Sequence, residues 1–339
     1  MRAGFAAGDE AGKRPAVWVL SGRGGSAGFQ FARRLEAAGY YVRQNQRGGL
    51  LTERIDPAEL RKYNVMIMAG LALSEPNEAL TDLGKQQIKV LRDYLDEGGG
   101  IMVFPHYQQL AAEIPPQRAF LMPLGLEPLL EDAITDTVKV QATPWDLDFA
   151  YTDAITPGQL TEGVRGIWYS ITPRLLGDEQ HSSTMAVDDN WTVLVRGSKT
   201  SSSKTLPINA TLFKTPGTGD YKESVPLVAS RQVGKGRMVV VGMCADYLLP
   251  AHASTSLESI VAEKGLNGKL SDGYKLVQNC LAWLAEPSAK AGISAERRWT
   301  RSCCGTRTKW CIVRLSTGPI PGAICPSAKS TRESSAPAA

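Results

Sequence analysis

The chain has 339 residues, 43% of them apolar, which is enough to form a sizeable core in one large domain or two ordinary ones. Its formal net charge of +4 is too small to indicate a dedicated nucleic-acid-binding protein. The sequence has no apolar run of about 18 residues, so no membrane span is predicted.

Residues 1–14 are polar and charged. They lack the apolar segment of a signal peptide, and we predict a disordered lead-in. If translation starts at Met1, the sequence predicts a cytoplasmic protein. A start further upstream would remove this expectation.

The first part of the globular region alternates strands and helices. A strand is predicted at residues 16–20, where an apolar run leads into a glycine turn. A helix follows at residues 29–38, where apolar residues recur at helical spacing. A second strand is predicted at residues 40–44, and a short helix begins at Pro57 with Asp56 as its cap.

The next part repeats this alternation. Residues 65–69 are apolar throughout, which is typical of a strand covered on both faces. Thr81 caps a predicted long helix that ends at three glycines, residues 98–100, and residues 101–104 follow as a fourth strand. The order β-α-β-α-β-α-β predicts an α/β fold with a parallel sheet, right-handed crossovers and helices on both faces.

The second half of the globular region is more varied. Residues 117–224 show scattered strand-like runs between segments rich in Pro, Gly and Ser, and we predict an insertion with substantial β content. A hairpin is predicted beyond it, with strands at residues 225–229 and 237–241 around a Gly-Lys-Gly turn. A last helix is predicted to begin at Ser271 or the next residue and to end before Pro287.

The composition changes after the last helix. Residues 297–332 contain no Asp or Glu, include four cysteines and follow neither the helical nor the strand period. We therefore predict that residues 288–339 form either a disordered basic tail or a non-native, out-of-frame extension, and the sequence leaves both alternatives open. The tail cysteines lack the paired CxxC spacing of a zinc site, so no metal site is predicted.

Several segments carry a resemblance to a known family. They are the strand at residues 65–70, the helix-to-strand segment 91–104, the hairpin 226–242 and the closing helix 274–287. These segments resemble the class I glutamine amidotransferase-like superfamily, and in particular its trehalose-utilisation-type and related non-amidotransferase branches. The resemblance implies a flavodoxin-like three-layer sandwich with a mostly parallel central sheet over residues 15–287.

The chain departs from that family where catalysis would occur. In true amidotransferases a nucleophilic Cys directly follows the strand equivalent to residues 101–104, but here residues 105–108 read Pro-His-Tyr-Gln. The family's His and acid would follow the strand that ends at Gly242, but residues 243–246 read Met-Cys-Ala-Asp. The resemblance therefore does not support glutamine hydrolysis by a Cys-His-Glu triad.

Several polar residues follow predicted strands, on the side of the carboxyl edge where open α/β sheets bind ligands. The leading hypothesis is a catalytically incomplete amidotransferase-like domain, a pseudoenzyme, that binds a small ligand or a protein partner at this edge without a cofactor. By resemblance, the ligand is a carbohydrate or the partner is a carbohydrate-processing enzyme. The candidate ligand-binding residues are Ser21, Arg23, Glu75, His106, Tyr107 and Asp246.

A second hypothesis is a hydrolase or isomerase in which His106 acts as acid or base together with Asp246 or Cys244. The simpler interpretation is that His106 is a loop histidine bonded to backbone and that Cys244 is a small buried residue. The sequence also leaves open whether the aromatic residues of the middle region stack on sugar rings or belong to the core, namely Trp145, Trp168, Tyr169 and Trp191.

A third hypothesis is NADP binding. Residues 22–27 fit the pattern G-x-G-x-x-A between a strand and a helix, in which glycines let backbone amides approach a pyrophosphate. The acid expected after the second strand is missing, and Arg43 and Arg47 would instead meet the 2′-phosphate of NADP. The alternative is a plain tight turn.

Overall fold

The computed structural model describes residues 15–21, 29–44, 55–69, 80–105, 114–129, 132–142, 147–171, 182–205, 221–248 and 257–291. The predicted lead-in at residues 1–14 lies outside the described residues, and so does the predicted tail beyond residue 291.

The described residues form strands and helices in an order that begins with regular β-α alternation. The strands are β1 (Ala16–Ser21), β2 (Tyr41–Gln44), β3 (Val65–Ala69), β4 (Gly100–Phe104), β5 (Leu126–Leu129), β6 (Asp132–Asp136), β7 (Val140–Ala142), β8 (Leu147–Thr152), β9 (Ile167–Ile171), β10 (Thr184–Val187), β11 (Thr192–Arg196), β12 (Ser201–Thr205), β13 (Pro226–Val233) and β14 (Gly236–Val241). The helices are α1 (Phe29–Ala37), α2 (Pro57–Leu60), α3 (Asp82–Asp96), α4 (Ile114–Leu121), α5 (Leu257–Glu263) and α6 (Gly273–Lys290).

The main sheet has seven strands in the order β11-β13-β14-β4-β3-β1-β2. Five neighbouring strands pair in parallel, namely β14, β4, β3, β1 and β2. The β13–β14 and β11–β13 pairs are antiparallel. The parallel part has the order 2-1-3-4-5 when its strands are numbered along the chain, which is the flavodoxin-like order. The predicted α/β class with a mostly parallel sheet is confirmed.

Both faces of the sheet are covered, and the strand sequences show why. Along β1, Val17 and Val19 pack with α1 and α6, whereas Trp18 and Leu20 pack with α2 and α3 on the other face. Because successive side chains of a strand point to opposite faces, a strand covered on both faces needs apolar residues at every position. The result is the three-layer sandwich expected from the sequence.

The middle of the chain contains the expected β content. Strands β5 and β10 form one small antiparallel sheet, β6 and β12 form a second, and β7, β8 and β9 form a third. Strand β11 instead pairs with β13 and becomes an edge of the main sheet. This pairing was not predicted, because the local sequence does not show which distant strand will be its neighbour.

One buried residue ties the amino edge of the sheet together. The side-chain oxygen of Asn64 accepts from the N–H of Ala16 at 2.8 Å, and its Nδ2 donates to the hydroxyl of Ser288 at 2.9 Å. Its backbone N–H donates to the carbonyl of Ala16 at 2.8 Å, and its carbonyl accepts from the N–H of Gly100 at 3.0 Å. Asn64 therefore links the beginnings of β1 and β4 to the end of α6.

The last helix corrects one sequence prediction, since α6 continues past Pro287 to Lys290. Pro287 has no N–H to donate to the carbonyl of Trp283. Arg237 replaces that donor: its Nη1 donates to the Trp283 carbonyl at 2.7 Å and to the Glu286 carboxylate at 2.6 Å. The Arg237 guanidinium also lies over the Trp283 ring, 4.7 Å from its centroid. A distant side chain thus allows the helix to continue.

The glycines between α3 and β4 are required by the backbone and by close packing. Gly98 has φ = +104°, a conformation that favours glycine. A Cβ on Gly100 would lie 2.5 Å from the carbonyl oxygen of Leu284 and 2.8 Å from its Cβ. Because the opposing oxygen belongs to the backbone of α6, the helix can approach β4 this closely only if residue 100 is glycine.

Gly100→Ala is expected to lower the free energy of unfolding by roughly 1–3 kcal/mol, because α6 must shift to make room. Urea unfolding measures the change. Gly158→Ala is the control, since Gly158 is extended with φ = 169° and no atom lies within 4 Å of its Cβ position. That variant should stay within about 0.5 kcal/mol of wild type. Equal losses in the two variants would contradict the packing argument.

Asn64→Ala should lower the free energy of unfolding by roughly 2–4 kcal/mol, because it leaves the buried N–H of Ala16 without its side-chain acceptor and removes the donor to the buried Ser288 hydroxyl. Exposed Asn190 is the control: its amide donates to Asp188 at 3.1 Å, and Asn190→Ala should change stability by less than about 0.5 kcal/mol. The comparison is made by denaturant unfolding of the full chain. A mild effect of Asn64→Ala would show that Asn64 does not hold the amino edge.

Candidate functional site

The carboxyl ends of three neighbouring strands lie in one row. Ser21 at the end of β1 is in register with Ala69 at the end of β3, and Ala69 is in register with Phe104 at the end of β4. On the next strand, Val240 of β14 is in register with Val103. The chain segments that follow these strands therefore leave the sheet side by side.

The chain reverses its winding direction between β1 and β3, because β2 lies on one side of β1 and β3 and β4 lie on the other. Such a switch point opens a crevice at the carboxyl edge, where α/β proteins bind ligands. The predicted residues Arg23, Glu75, His106 and Tyr107 follow β1, β3 and β4 in sequence, but they lie outside the described residues. Their role as ligand contacts stays a prediction.

Two of the predicted ligand residues are placed by the backbone. Ser21 is the last residue of β1 and pairs with Ala69 at the switch point. Asp246 lies in the short helical turn Ala245–Tyr247 that follows β14. Both positions are at the carboxyl edge, as expected from the sequence. Their contacts with a ligand stay a prediction.

Cys244 lies between β14 and that turn, and it is 2% exposed. It belongs to an apolar cluster with Phe149, Trp168 and Tyr247, in which the rings of Phe149 and Tyr247 meet edge to face at 4.8 Å. The N–H of Cys244 donates to the hydroxyl of Ser182 at 3.4 Å. A nucleophile must meet its substrate, and this packing surrounds Cys244 with apolar side chains instead.

Arg43, one of the two cations proposed to meet the phosphate of NADP, already has a carboxylate partner. Its Nη1 donates to Glu59 at 2.9 Å, and its guanidinium lies 4.5 Å from the ring centroid of Trp18. Burial alone would raise the pKa of Glu59, but the hydrogen bond and charge of Lys62 and the charge of Arg43 lower it. The negative charge of NADP would therefore have to compete with Glu59. Arg47 lies outside the described residues.

The aromatic side chains of the middle region belong to the core. Trp168 is 3% exposed, Tyr169 is fully buried and Trp191 is 6% exposed. The indole N–H of Trp191 donates to the carbonyl of Leu124 at 2.7 Å. A sugar ring needs an open aromatic face, so these three residues are not a sugar-stacking surface. Trp145 lies outside the described residues.

The sequence did not single out Asp136, which is the centre of a polar network. It is 7% exposed and accepts hydrogen bonds from the hydroxyls of Tyr169 at 2.9 Å, Ser198 at 2.6 Å and Thr200 at 2.6 Å. The N–H of Val138 donates to it as well, at 2.9 Å. Burial raises the pKa of Tyr169, which therefore stays a hydrogen-bond donor. With four donors, the carboxylate is satisfied and joins β6 to β9 and to the turn before β12.

A surface groove of about 600 Å³ was also missed by the sequence reasoning. The amide of Asn279 supports one wall by donating to the carbonyls of Leu160 at 3.2 Å and Glu162 at 2.9 Å. The groove contains none of the residues predicted from the sequence. It is lined by Asp153, Ile155, Pro157, Gly158, Gln159, Thr161, Glu162, Gly163, Val164 and Arg165.

Nowhere in the described ranges do three or more His, Cys, Asp or Glu side chains come together as a metal site requires. None of the described helices has the length and apolar character needed to cross a bilayer.

No protein-family model matches this chain, and no curated protein matches it. Among solved structures, the mmIFT52 N-terminal domain is similar, with a TM-score of 0.50 and 14% identity over 80% of this chain and 97% of that domain. A ThuA-like protein from Bacteroides uniformis has a TM-score of 0.41 and 14% identity over 84% of this chain and 94% of its own. The cytoplasmic protein STM1381 from Salmonella typhimurium has a TM-score of 0.44 and 12% identity over 79% and 99%. The first likeness shows a shared fold.

Two buried tyrosines and a buried cysteine have raised pKa values, and these determine how the free energy of unfolding responds to alkaline pH. Burial, with a smaller effect of Tyr274, raises the pKa of Tyr40 from 10.0 to about 12. Burial is also the largest cause that raises the pKa of Tyr63 to about 12. The pKa of the Cys280 thiol rises from 9.0 to about 12 through burial. In the unfolded chain these groups would ionise at their ordinary values.

The free energy of unfolding should therefore fall as the pH rises from 9.0 towards about 12. In this range the folded protein retains protons that the unfolded chain releases, and the stabilising protonated forms are fully present only at lower pH. Melting temperatures measured by circular dichroism across this range test the sign. The buried tyrosines should ionise, by tyrosinate absorbance, together with unfolding. Ionisation of every tyrosine near pH 10.0 with an intact dichroism signal would contradict this.

Proposed function

We propose that this chain binds a small hydroxyl-bearing ligand of the carbohydrate class at the carboxyl edge of its main sheet, and that it does not hydrolyse glutamine. The observation that carries the proposal is the row formed by Ser21, Ala69 and Phe104 at the switch point between β1 and β3. The segments that leave this row contain most of the polar residues singled out in the sequence, namely Arg23, Glu75, His106 and Tyr107.

The absence of a nucleophile at the expected place in the sequence supports binding without glutamine hydrolysis. Pro105 follows β4, and neither Cys nor Ser stands at residues 105–108, where an amidotransferase places its nucleophile. Cys244 is packed among aromatic side chains and is 2% exposed, so it does not replace that nucleophile. The sequence therefore offers no Cys or Ser at the position from which an amidotransferase attacks glutamine.

A carbohydrate ligand is favoured by the kinds of residue that follow these strands in the sequence. Arginine, glutamate, histidine and tyrosine supply donors and acceptors that match sugar hydroxyls. The resemblance of the sequence to trehalose-utilisation-type proteins points to the same ligand class. Because Trp168, Tyr169 and Trp191 are buried in the core, we expect the sugar to be held mainly by hydrogen bonds.

Differential scanning fluorimetry with trehalose and with glucose tests the proposal. At least one sugar should raise the melting temperature of the wild-type chain, because a ligand that binds only the folded state stabilises it. His106→Ala and Glu75→Gln should each abolish most of the shift. Asn190→Ala, which changes an exposed residue of a turn between β10 and β11, should retain it.

Two further measurements separate this proposal from its alternatives. NADPH should produce no shift, and a shift that was lost in Gly24→Val would favour the NADP hypothesis instead. Ammonia release from glutamine should equal the background rate, and release that disappeared in Cys244→Ala would show that the chain is an amidotransferase after all. The carbohydrate proposal is wrong if neither sugar shifts the wild-type melting curve.

A further inference from the structure

The surface groove of about 600 Å³ is formed by one loop, whose lining residues run from Asp153 to Arg165 between β8 and β9. The two ends of this loop are neighbours, because Thr152 at the end of β8 is in register with Ile167 at the start of β9. A compact loop whose ends meet is an Ω-loop, and such loops frequently carry function. The groove is a candidate site independent of the carboxyl edge, since none of the residues proposed there lines it.

The first part of the loop is attached to the outermost strand of the main sheet. The N–H of Thr156 donates to the carbonyl of Leu194 in β11 at 2.9 Å. The N–H of Arg196, also in β11, donates to the carbonyl of Ala154 at 3.0 Å. These bonds add a short segment to the sheet beyond β11. The groove therefore lies at that end of the sheet, and β11, β13 and β14 separate it from β4.

The rest of the loop is held by side chains. The hydroxyl of Thr161, which is 4% exposed, donates to the carbonyl of Thr156 at 2.5 Å. Asp272, directly before α6, accepts from the N–H of Arg165 at 2.9 Å, and Asn279 of α6 supports the carbonyls described above. A loop fixed at these points already has the shape of the groove, so a partner would lose little free energy in ordering it.

The least exposed part of the groove includes an apolar floor. Val164 is 8% exposed and belongs to the core beneath the sheet, and half-buried Ile155 packs against the same core. Pro157 adds a further apolar surface to the lining. Such a floor suits the aliphatic stem of a long side chain, which gains from leaving water while its polar end stays exposed.

The exposed lining residues, which form the rim of the groove, include two carboxylates. Asp153 and Glu162 are exposed, and neither has an ion-pair partner among the described side chains. The cation of the rim, Arg165, is already balanced, because its Nε and Nη2 donate to the Asp272 carboxylate at 3.2 and 3.3 Å. The negative charge of the rim is therefore available to a partner.

The neighbouring groups leave this negative charge in excess. Lys275 of α6 is close, since its Cε lies 3.4 Å from the position of a Cβ on Gly163. Even with Lys275 included, three carboxylates in and beside the groove stand against two cations. Burial, followed by the negative charges of Asp153 and Asp272, raises the pKa of the adjacent Tyr151 hydroxyl. A positively charged group is thus the complement of this surface.

We propose that the groove binds a segment of a protein partner that carries lysine or arginine side chains. The stem of one such side chain packs on the floor formed by Ile155 and Val164. Its charged head lies at the rim beside the carboxylates of Asp153 and Glu162. Most lining residues are exposed, so a small amine would remain largely in water, whereas a peptide gains contacts along the whole groove.

The probe is a short, fluorescently labelled peptide in which arginine alternates with alanine, and its binding to the full chain is measured by anisotropy at low salt. Glu162→Gln and Asp153→Asn each remove one charge from the rim. Glu36→Gln is the matched control, because Glu36 is exposed on α1, which packs beside β2 at the other end of the sheet. The control removes the same charge from the protein, so any difference reports the groove and not the net charge.

Two further variants test the shape and the sign of the site. Gly158 lines the groove, is extended with φ = 169°, and has no atom within 4 Å of its Cβ position. Gly158→Phe therefore places a ring in the groove without strain in the backbone. Lys275→Gln removes the nearby cation and makes the groove more negative. Melting curves by circular dichroism verify that each variant folds.

We expect the wild-type chain to bind the arginine peptide and not a peptide with glutamate in place of arginine. Glu162→Gln and Asp153→Asn should each weaken binding about two- to fivefold, and Gly158→Phe should weaken it about tenfold or more. Lys275→Gln should strengthen it about twofold. Glu36→Gln should bind as wild type does, and added salt should weaken every complex.

The proposal is overturned if the wild-type chain does not bind the arginine peptide, or if Glu36→Gln weakens binding as much as the rim variants do. It is overturned as well if Lys275→Gln weakens binding, or if free spermidine displaces the peptide at an equal or lower concentration, which would identify a site for small amines. If one rim variant fails to fold, the other and Gly158→Phe decide: wild-type affinity in both overturns the proposal, and lost affinity supports it.

Discussion

The hydrogen bonds of Asn64 fix the amino edge of the main sheet, and the arrangement of the opposite edge follows from them. Asn64 joins β1, β4 and α6 through Ala16, Gly100 and Ser288. With their starts fixed, β1, β3 and β4 are held in the register that places Ser21, Ala69 and Phe104 side by side. The strand ends at the carboxyl edge therefore align.

The two edges of the sheet thus have different physical characters. At the amino edge, glycine at residue 100 lets α6 approach the sheet, and Arg237 supplies the donor that Pro287 lacks. These contacts are short and well satisfied, and they favour rigidity. At the carboxyl edge, chain segments with polar residues leave from adjacent strands, and this is where α/β folds bind ligands. The fold positions the proposed site, but its residues decide the chemistry.

Buried polar groups differ in whether all of their hydrogen-bonding atoms have a partner. Asp136 is buried with four donors around it, so it stabilises the β-rich middle region and has no capacity left for a ligand. The amide oxygen of buried Gln117 accepts no hydrogen bond within the described ranges, and the Nε atom of Arg92 lacks an acceptor there as well. A satisfied group such as Asp136 stabilises the fold, whereas an unsatisfied one lowers stability and marks a position that packing alone does not explain.

The sequence by itself determined the fold class and the first half of the secondary structure, because caps and apolar runs act over a few residues. Thr81, for example, was predicted to cap α3, and its hydroxyl accepts from the N–H of Gly84 at 3.1 Å. It also predicted polar residues at the carboxyl edge; the backbone places Ser21 and Asp246 there, and the positions of the others stay a prediction. Only the tertiary structure decided that α6 passes Pro287, since the replacement donor Arg237 stands 46 residues from Trp283. The same holds for the amide oxygen of Gln117, which accepts no hydrogen bond within the described ranges, because a missing hydrogen bond depends on every neighbour that folding brings into contact.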